Sequence, residues 1–183
     1  MPKQPTKSIF YNPGMELCRD IDIAGVAAFV SSLPQQQASL TYIDALAGTG
    51  VRGIRVANEV GLSVAINDRS KPAYELINRN IELNDVRERA KAYNENANVL
   101  LLQNYYDFVD IDPFGSPVPF LDAACKSVKR LLLITATDTA PLCGAHSGGL
   151  RKYDAKPLNT EYHTEMATRI LLGRVTRDLC KYD

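Results

Sequence analysis

The sequence predicts an α/β fold, in which a parallel sheet carries helices on both faces. Short apolar stretches alternate with helical stretches along the chain, which is the pattern of repeated βα units. The stretch Arg130 to Ala136 is almost continuously apolar, as in a strand that is covered on both sides. A glycine-rich turn, Gly48 to Gly53, links the first predicted strand to the next helix, as ligand-binding turns do in such sheets.

Length and composition are those of a single globular domain. The chain has 183 residues, 45% of them hydrophobic and 23% charged, which is long enough for one core and short for two. No apolar stretch approaches the roughly 20 residues that a membrane-spanning helix needs. Met1 to Ser8 contains lysines without the apolar core of a secretory signal. We therefore expect no membrane association.

Cysteine placement and net charge limit the classes of site. The four cysteines are widely scattered, without a C-x-x-C pair, which argues against a zinc site or a disulfide framework. We expect no metal and a cytoplasmic location, where thiols stay reduced. The net charge is zero, so contact with nucleic acid needs a local patch. Basic residues that are either solvated or in contact with phosphate cluster near the end: Arg151, Lys152, Arg169, Arg174, Arg177 and Lys181.

The first predicted element is a helix from Glu16 to about Val30. Its apolar residues recur near helical spacing at Leu17, Ile21, Gly25, Ala28 and Phe29. Arg19 lies in the first turns of this helix, where an arginine is either a solvated ion-pair partner or a clamp for a carboxylate. Residues 33–37 are predicted to form a loop.

The next elements form a nucleotide-binding pattern. A strand from Leu40 to Ala45 precedes Gly48-Thr49-Gly50-Val51-Arg52-Gly53, and a helix follows to about Val60. This is a complete G-x-G-x-x-G motif, whose glycines let a ligand approach the backbone N–H groups at the helix start. The second strand, Leu62 to Asn67, ends at Asp68, about 20 residues after the first glycine, where the motif has a carboxylate for ribose hydroxyls. We predict a nucleoside cofactor; the alternative is a purely structural turn.

A helix from Ser70 to Asn84 and a third strand from Ala90 to Tyr93 follow. The third strand ends in the polar run Asn94 to Ala97, beside the predicted cofactor crevice. Asn96 either contacts an adenine or caps the next helix, and these two uses can coexist.

The fourth strand, Tyr106 to Ile111, stops at Asp112-Pro113-Phe114-Gly115. Proline removes a ladder donor and fixes φ, so the chain turns there. Asp112 is therefore expected at the carboxyl end of a strand, where open α/β sheets bind ligands, with the aromatic face of Phe114 beside it. A carboxylate next to a planar ring suits a flat, hydrogen-bonding substrate such as a nucleobase. The alternative is Asp112 as N-cap of the following helix, predicted over Ser116 to Lys129.

A fifth strand, Arg130 to Ala136, a polar loop and a last helix, Glu161 to about Lys181, complete the prediction. This layout admits hydride transfer with a dinucleotide or methyl transfer with S-adenosylmethionine. The fourth strand favours methyl transfer to an exocyclic amine, because Asp-Pro-Phe-Gly offers an N–H acceptor beside a flat surface. The Tyr-x-x-x-Lys pair of common dehydrogenases is absent, and His146 and His163 are isolated.

Several stretches together resemble one family. Asp-Pro-Phe-Gly is similar to the D/N-P-P-Y/F motif of amino-methyltransferases. The chain as a whole resembles the tRNA (guanine(26)-N(2))-dimethyltransferases. The matching stretches, in chain order, are Phe10 to Pro13 with Arg19-Asp20, Asp44 to Arg55, Ile66 to Asp68, Asp110 to Pro117, Thr135 to Asp138 and Leu142 to Gly144.

The resemblance implies an S-adenosylmethionine-dependent enzyme that methylates the N2 amine of a guanine in tRNA, once and then again. Asp112 would be the catalytic carboxylate. Substrate contacts would come from Phe10, Pro113 and Phe114, with the two rings on opposite faces of the guanine. Arg19 would bind the methionine carboxylate of the cofactor, Asp68 its ribose, and Asn96 with Ala97 its adenine. The full set of expected cofactor-binding residues is Arg19, Asp44, Gly48, Gly50, Arg52, Asp68, Asn96 and Ala97.

The resemblance also implies a Rossmann-like class I methyltransferase sheet. Only five strands are predicted here, so the last antiparallel hairpin of that class is expected to be missing. Residues 1–32 would form a segment and helix that cover substrate and cofactor, and residues 38–183 the core of a single domain, with the family's C-terminal domain beyond Asp183. Asn96 also stands where the family usually has aspartate. The alternatives are an NAD-dependent oxidoreductase and a non-catalytic remnant that binds S-adenosylmethionine.

Overall fold

The computed structural model describes residues 9–34 and 40–182. Met1–Ser8 and most of the predicted loop at 33–37 lie outside these residues. A five-stranded sheet in the order β3-β2-β1-β4-β5 forms the centre, with all neighbouring strands parallel. The strands are β1 (Thr41–Asp44), β2 (Ser63–Asn67), β3 (Ala90–Tyr93), β4 (Tyr106–Ile111) and β5 (Val128–Ile134).

Helices connect the strands and cover the sheet. After a short 3-10 helix at Pro13–Met15, they are α1 (Glu16–Ser32), α2 (Val51–Arg55), α3 (Lys71–Leu83), α4 (Ala97–Gln103), α5 (Val118–Ser127), α6 (Thr139–Leu142), α7 (Gly149–Tyr153) and α8 (His163–Leu179). Helix α2 continues directly into a π-helix at Val56–Val60, so the single helix predicted from Val51 to Val60 changes its hydrogen-bond pattern midway. No helix within the described ranges is long and apolar enough to cross a membrane.

Both faces of the sheet are buried, as predicted. Alternate strand residues point to opposite faces, and two hydrophobic clusters result. One contains Tyr42 and Phe108 with residues of α1 and α3. The other contains Ile43 and Val109 with residues of α4 and α5. The predicted α/β class with a parallel sheet between helices is therefore confirmed.

Strand order determines where a ligand can bind. The chain proceeds outward from β1 to β2 and β3, then returns so that β4 pairs with the other edge of β1. Ligands bind at such a reversal, outside the carboxyl ends of the strands. Asp44 pairs with Asp110 in the register of β1 and β4, so the glycine turn after β1 and Asp112 after β4 emerge side by side.

Helix α1 forms as predicted but buries a different face. Leu17 and Ile21, whose spacing helped to predict the helix, are 70% and 62% exposed. The buried residues are instead Arg19, Ile23, Val26 and Val30. These also recur at helical spacing, and their side includes a buried arginine because the start of the helix borders a cavity rather than the apolar core.

Candidate active site

A cavity of about 640 Å³ opens at the carboxyl edge of the sheet, a size typical of cofactor sites. The glycine turn and the acid after β4 face this same opening. The predicted site residues that line the cavity are Phe10, Arg19, Asp44, Gly48, Arg52, Asp68, Asn96, Ala97, Asp112, Pro113 and Phe114. Gly50 also belongs to the turn but does not line the cavity, because it faces the side chains of Ile66 and Ile77.

The glycine turn needs glycine for two separate reasons. Gly48 has φ +54°, and a Cβ there would lie 3.2 Å from the carbonyl oxygen of Phe10. Gly50 has φ +78° and precedes α2. Side chains are disfavoured at positive φ, so these two residues let the backbone turn tightly while the N-terminal segment lies directly over Gly48.

Asp68 joins the end of β2 to the glycine turn. Its Oδ2 accepts a hydrogen bond from Gly48 N at 2.9 Å, and its Oδ1 accepts one from Ser70 N at 2.8 Å. A carboxylate has about four acceptor positions, so further acceptor positions remain for a ligand. Asp68 therefore both fixes the turn and presents a carboxylate at the cavity.

Asp44 is buried beneath the turn. Its Oδ2 accepts a hydrogen bond from Gly53 N at 3.1 Å, near the start of α2. Burial, followed by the negative charge of Asp110, raises the pKa of Asp44 to about 8. This hydrogen bond is with the chain's own backbone.

Asn96 serves as a helix cap and also lines the cavity; its contact with an adenine stays a prediction. Its side-chain oxygen accepts a hydrogen bond from Asn98 N at 2.9 Å, and Ala97 is the first residue of α4. The cap fixes the amide group of Asn96 beside Ala97 on the wall of the cavity.

Arg19 is buried next to neutral groups. Its side chain donates to the carbonyl oxygen of Asn12 at 3.1 Å and to the hydroxyl of Tyr11 at 3.3 Å. Its guanidinium carbon lies 5.0 Å from the centre of the Tyr11 ring. No ion pair within residues 9–34 and 40–182 involves Arg19. The interpretation as a solvated ion-pair partner is therefore wrong, whereas a clamp for an incoming carboxylate fits a buried cation with a free charge.

Arg52 lies among carboxylates. Its Nη1 pairs with Asp22 and, at 3.3 Å, with Asp110, while its Nη2 pairs with Asp112 at 3.0 Å. Burial opposes its positive charge, but Asp110, Asp112 and Asp22 outweigh burial and raise the pKa of the guanidinium above its ordinary value. We call these four residues the Arg52 cluster.

Asp112 points into the cavity rather than capping a helix. Helix α5 begins only at Val118, with Pro117 at the N-cap position, so the N-cap alternative for Asp112 is wrong. The side chain of Asp112 is 30% exposed, whereas that of Asp110 is fully buried. Asp110 accepts a hydrogen bond from the Tyr42 hydroxyl at 2.7 Å, and burial raises its pKa to about 6 even though Arg52 opposes the rise.

The loop after Asp112 is fixed to the loop after β5. Gly115 N donates to Thr137 Oγ1 at 2.8 Å, and Thr137 N donates to the carbonyl oxygen of Gly115 at 3.0 Å. The buried Tyr153 hydroxyl contacts Ser116 Oγ at 3.1 Å and donates to Asp138 at 2.5 Å. These contacts keep the aromatic side chain of Phe114 at the mouth of the cavity.

The rings of Phe10 and Phe114 contact each other edge to face. Their centres lie 5.0 Å apart, and the ring planes are inclined by 70°. A base stacked between two parallel rings needs about 7 Å between their centres, near the upper limit of aromatic pair distances. The two predicted substrate contacts are therefore adjacent, but they must separate before a base can lie between them.

Sequence reasoning missed part of the cavity wall. The additional lining residues are Tyr11, Asn12, Met15, Leu46, Ala47, Thr49, Val51, Asn67, Arg69, Ser116, Pro119, Phe120 and Thr137. Tyr11 and Thr49 directly follow the predicted residues Phe10 and Gly48 in the sequence, so their positions could have indicated them. Phe120 had none, because its place on the wall depends on how α5 packs beside α4.

The basic residues near the end of the chain are mostly paired. Those that form ion pairs with nearby carboxylates are Lys152, Arg169, Arg174, Arg177 and Lys181. Their charges are therefore compensated locally. Among the described residues, no group of three or more His, Cys, Asp or Glu side chains could hold a metal ion.

Comparisons with known proteins agree on one family. A family model described as "N2,N2-dimethylguanosine tRNA methyltransferase" matches residues 3–183. Two proteins named tRNA (guanine(26)-N(2))-dimethyltransferase, from Methanosarcina mazei and Methanosarcina barkeri, are 51% and 52% identical over 180 residues, or 96% of this chain. The chain spans only 46% of the length of each.

A solved structure supports the same relationship. The complex of Trm1 from Pyrococcus horikoshii with S-adenosyl-L-methionine is 40% identical, with a TM-score of 0.87, and the match covers 100% of this chain and 53% of that one. The resemblance drawn from the sequence motifs is thus confirmed. This chain belongs to the N2,N2-dimethylguanosine tRNA methyltransferase family.

Proposed function

We propose that this chain binds S-adenosylmethionine in the cavity and transfers its methyl groups to the exocyclic N2 amine of a guanine in tRNA, first once and then again. Relatives are named for guanine 26 of tRNA, and we propose the same target. The observation that carries the proposal is that Asp112, after β4, faces the same cavity as the glycine turn after β1. A cofactor at the turn and an amine at the acid would therefore be neighbours.

The cavity residues fit this cofactor in charge and shape. Arg19 is a buried cation without an ion-pair partner among the described residues, which suits the carboxylate of a methionine moiety. Asp68 would accept from ribose hydroxyls, and Asn96 and Ala97 would border the adenine. The backbone turn at Gly48 keeps the space free that a side chain would fill. When bound, the cofactor supplies a methyl group on a positively charged sulfur.

The residues after β4 would orient the amine. The lone pair of a guanine amine is delocalised into the ring, so the amine is a weak nucleophile. Asp112 and the backbone carbonyl of Pro113 would accept hydrogen bonds from its two N–H groups and so turn the lone pair toward the cofactor side of the cavity. Asp112 would then hold the proton that the amine loses. Orientation contributes the larger part of the acceleration and proton acceptance a smaller part.

Reaching that position requires the guanine to leave its stack. Extruding a base costs a few kcal/mol, and stacking on Phe114 and Phe10 would offset part of that cost once the two rings have separated. The target must therefore be presented by RNA, which we propose is tRNA.

We also propose a cytoplasmic location, since scattered free cysteines fit a reducing compartment. The assignment of residues 1–32 to a covering segment and 38–183 to the core remains a prediction.

The test combines binding with turnover. Calorimetry with S-adenosylmethionine, and separately with NAD, distinguishes the cofactors; we expect binding of the first only. Methyl transfer is then measured with tRNA that lacks N2-methylated guanine, using the wild-type chain and Asp112→Asn. The substitution should lower the transfer rate at least about 100-fold, the usual range for a proton acceptor, and leave cofactor affinity within about twofold.

Asp122→Asn is the matched control. Asp122 lies on α5 with a side chain 63% exposed and pairs with Lys181, so this change should leave methyl transfer intact. Cofactor binding without any transfer by the wild-type chain would leave only a binding role. Undiminished transfer by Asp112→Asn would refute the role given to Asp112, and binding of NAD alone would refute the proposal.

A further inference from the structure

We propose that Arg52 is a positioning residue, which is held by Asp22 and Asp110 and in turn fixes the carboxylate of Asp112 for the incoming amine. This inference rests on the proposed function, and it differs from the contact with cofactor that the family resemblance implies for Arg52. Its basis is the geometry of the Arg52 cluster, in which one guanidinium connects two structural carboxylates to one that faces the cavity.

Asp110, one of the two anchors of the cluster, is more buried than Asp112, which the cluster holds. The side chain of Arg52 is 4% exposed and that of Asp110 is fully buried, whereas the side chain of Asp112 is 30% exposed. Asp110 is also fixed by the hydroxyl of Tyr42. Arg52 therefore connects Asp112, whose side chain would otherwise rotate at the edge of the cavity, to residues that the sheet holds in place.

The contact leaves Asp112 able to act as an acceptor. Arg52 Nη2 pairs with Oδ2 of Asp112 at 3.0 Å, and carboxylate oxygens carry further lone pairs. Hydrogen bonds to Asp22 and Asp110 fix the planar guanidinium, and its ion pair then holds one oxygen of the Asp112 carboxylate in place. An amine N–H would then meet an acceptor whose orientation is set before the substrate arrives.

Charge and donor use argue against a second carboxylate on Arg52. Its Nη2 also donates to Cys18 Sγ at 3.4 Å and to Thr135 Oγ1 at 3.3 Å. Its Nε has no partner among the described atoms, but it is buried, so a ligand in the cavity does not reach it. Three carboxylates already surround this single positive charge. A further carboxylate from a cofactor would meet net negative charge, because like charges repel at short range.

The experiment uses Arg52→Lys, with Arg55→Lys as its matched control. Lysine keeps the charge but lacks the planar fork, so folding can be retained while orientation is lost. Arg55 lies on the same helix and also pairs with two carboxylates, Asp20 and Glu59, but it does not line the cavity. Urea unfolding verifies that both variants fold.

Three measurements are made on each variant: the dissociation constant of S-adenosylhomocysteine by calorimetry, the single-turnover rate of methyl transfer to tRNA, and the orientation of Asp112 in a crystal. For Arg52→Lys we expect a transfer rate lowered at least about tenfold, a dissociation constant within about twofold of wild type, and a changed Asp112 orientation. Arg55→Lys should match wild type in all three. Combining Arg52→Lys with Asp112→Asn should lower the rate no further than Asp112→Asn alone, because residues that act as a unit are non-additive.

The contrary outcomes are equally specific. A dissociation constant raised tenfold or more in Arg52→Lys would mean that Arg52 holds the cofactor, and the inference would be overturned. Losses that multiply in the double variant, or an unchanged Asp112 orientation, would overturn it as well. If the wild-type chain transfers no methyl group, the proposed function fails, and the crystal comparison still decides whether Arg52 orients Asp112.

Discussion

Two buried arginines line the same cavity and differ in every partner they have. Arg19 on α1 contacts a carbonyl oxygen and a tyrosine hydroxyl. Arg52 on α2 contacts three carboxylates. They are 6% and 3% exposed, respectively, so accessibility does not distinguish them. Their partners do.

The difference separates a binding group from a framework group. A buried charge needs a compensating partner. Arg52 has its partners within the fold and therefore belongs to the framework of the site. Arg19 has none among the described residues, so a bound anion can supply the missing charge. The four predictions below test this distinction, from the largest expected effect to the smallest.

Removing the charge of Arg52 should destabilise the fold far more than removing that of Arg19. Arg52→Met leaves Asp22, Asp110 and Asp112 without their cation, and breaking a buried pair in this way costs about 3–5 kcal/mol. Arg19→Met loses hydrogen bonds to neutral groups only, for which we expect at most about 2 kcal/mol. Urea unfolding of the two variants measures both costs. Equal costs would contradict the comparison.

The affinity for the cofactor should instead depend on the charge of Arg19. Arg19→Met should weaken S-adenosylmethionine binding about 10- to 100-fold, which corresponds to about 1.5–3 kcal/mol for hydrogen bonds to a charged group. Arg69→Met is the control, because Arg69 also lines the cavity but is exposed, and it should change the dissociation constant less than about threefold. Calorimetry measures each value. A comparable loss in both variants would show that the burial of Arg19 has no special role.

The pH dependence of stability should originate on the Arg52 side of the cavity. Burial and Asp110 raise the pKa of Asp44 from its ordinary value of 3.8 to about 8. Between these values the folded state holds the proton that the unfolded state has released, so the unfolding free energy falls as pH rises. The slope from one such group is at most about 1.4 kcal/mol per pH unit.

Asp44→Asn should remove this contribution, so that the variant gains stability relative to wild type as pH rises from about 4 to about 8. Arg19→Met should leave the slope as it is in wild type. Urea unfolding at several pH values gives both slopes. A wild-type slope retained in Asp44→Asn would mean that Asp44 is not the titrating group.

The smallest effect concerns the support of Arg19. Tyr11→Phe removes the hydroxyl that accepts from Arg19 but keeps the ring beneath the guanidinium. One hydrogen bond of this kind contributes about 0.5–1.5 kcal/mol, and part of it is recovered through water. We therefore expect the dissociation constant of S-adenosylmethionine to rise about two- to threefold. Calorimetry on Tyr11→Phe and Tyr11→Leu separates the hydroxyl from the ring, since only the second also loses the cation–π contact.

The ends of the strands could be predicted closely where polar residues flank short apolar runs. The predicted limits Ala90 to Tyr93 and Tyr106 to Ile111 are those of β3 and β4. The prediction failed at the junction of α5 and β5, where the strand begins at Val128, immediately after the helix ends. Lys129 and Arg130 are exposed there because β5 is the edge of the described sheet, and two charged residues obscured the start of the strand.

The cavity residues that follow strands could also be predicted, because strand order alone brings them to one edge. The partners of Arg52 could not. Asp22 lies 30 residues before Arg52 and Asp110 lies 58 residues after it, and no local spacing relates them. The contact with Asp22 depends on how α1 lies across α2, and sequence periodicity misidentified the helix face that packs there. The contact with Asp110 depends on the register of β4 beside β1.

The contact between Phe10 and Phe114 has a consequence for how a base would enter the cavity in the proposed reaction. A free nucleoside has only its own stacking energy with which to push the rings apart, whereas a residue embedded in a polynucleotide is also held by everything else its chain touches. Separating an edge-to-face pair of this kind costs about 0.5–1.5 kcal/mol, which a base that enters between the rings must offset. In the proposed reaction, the base therefore meets these two side chains before any of its groups reaches Asp112 behind them.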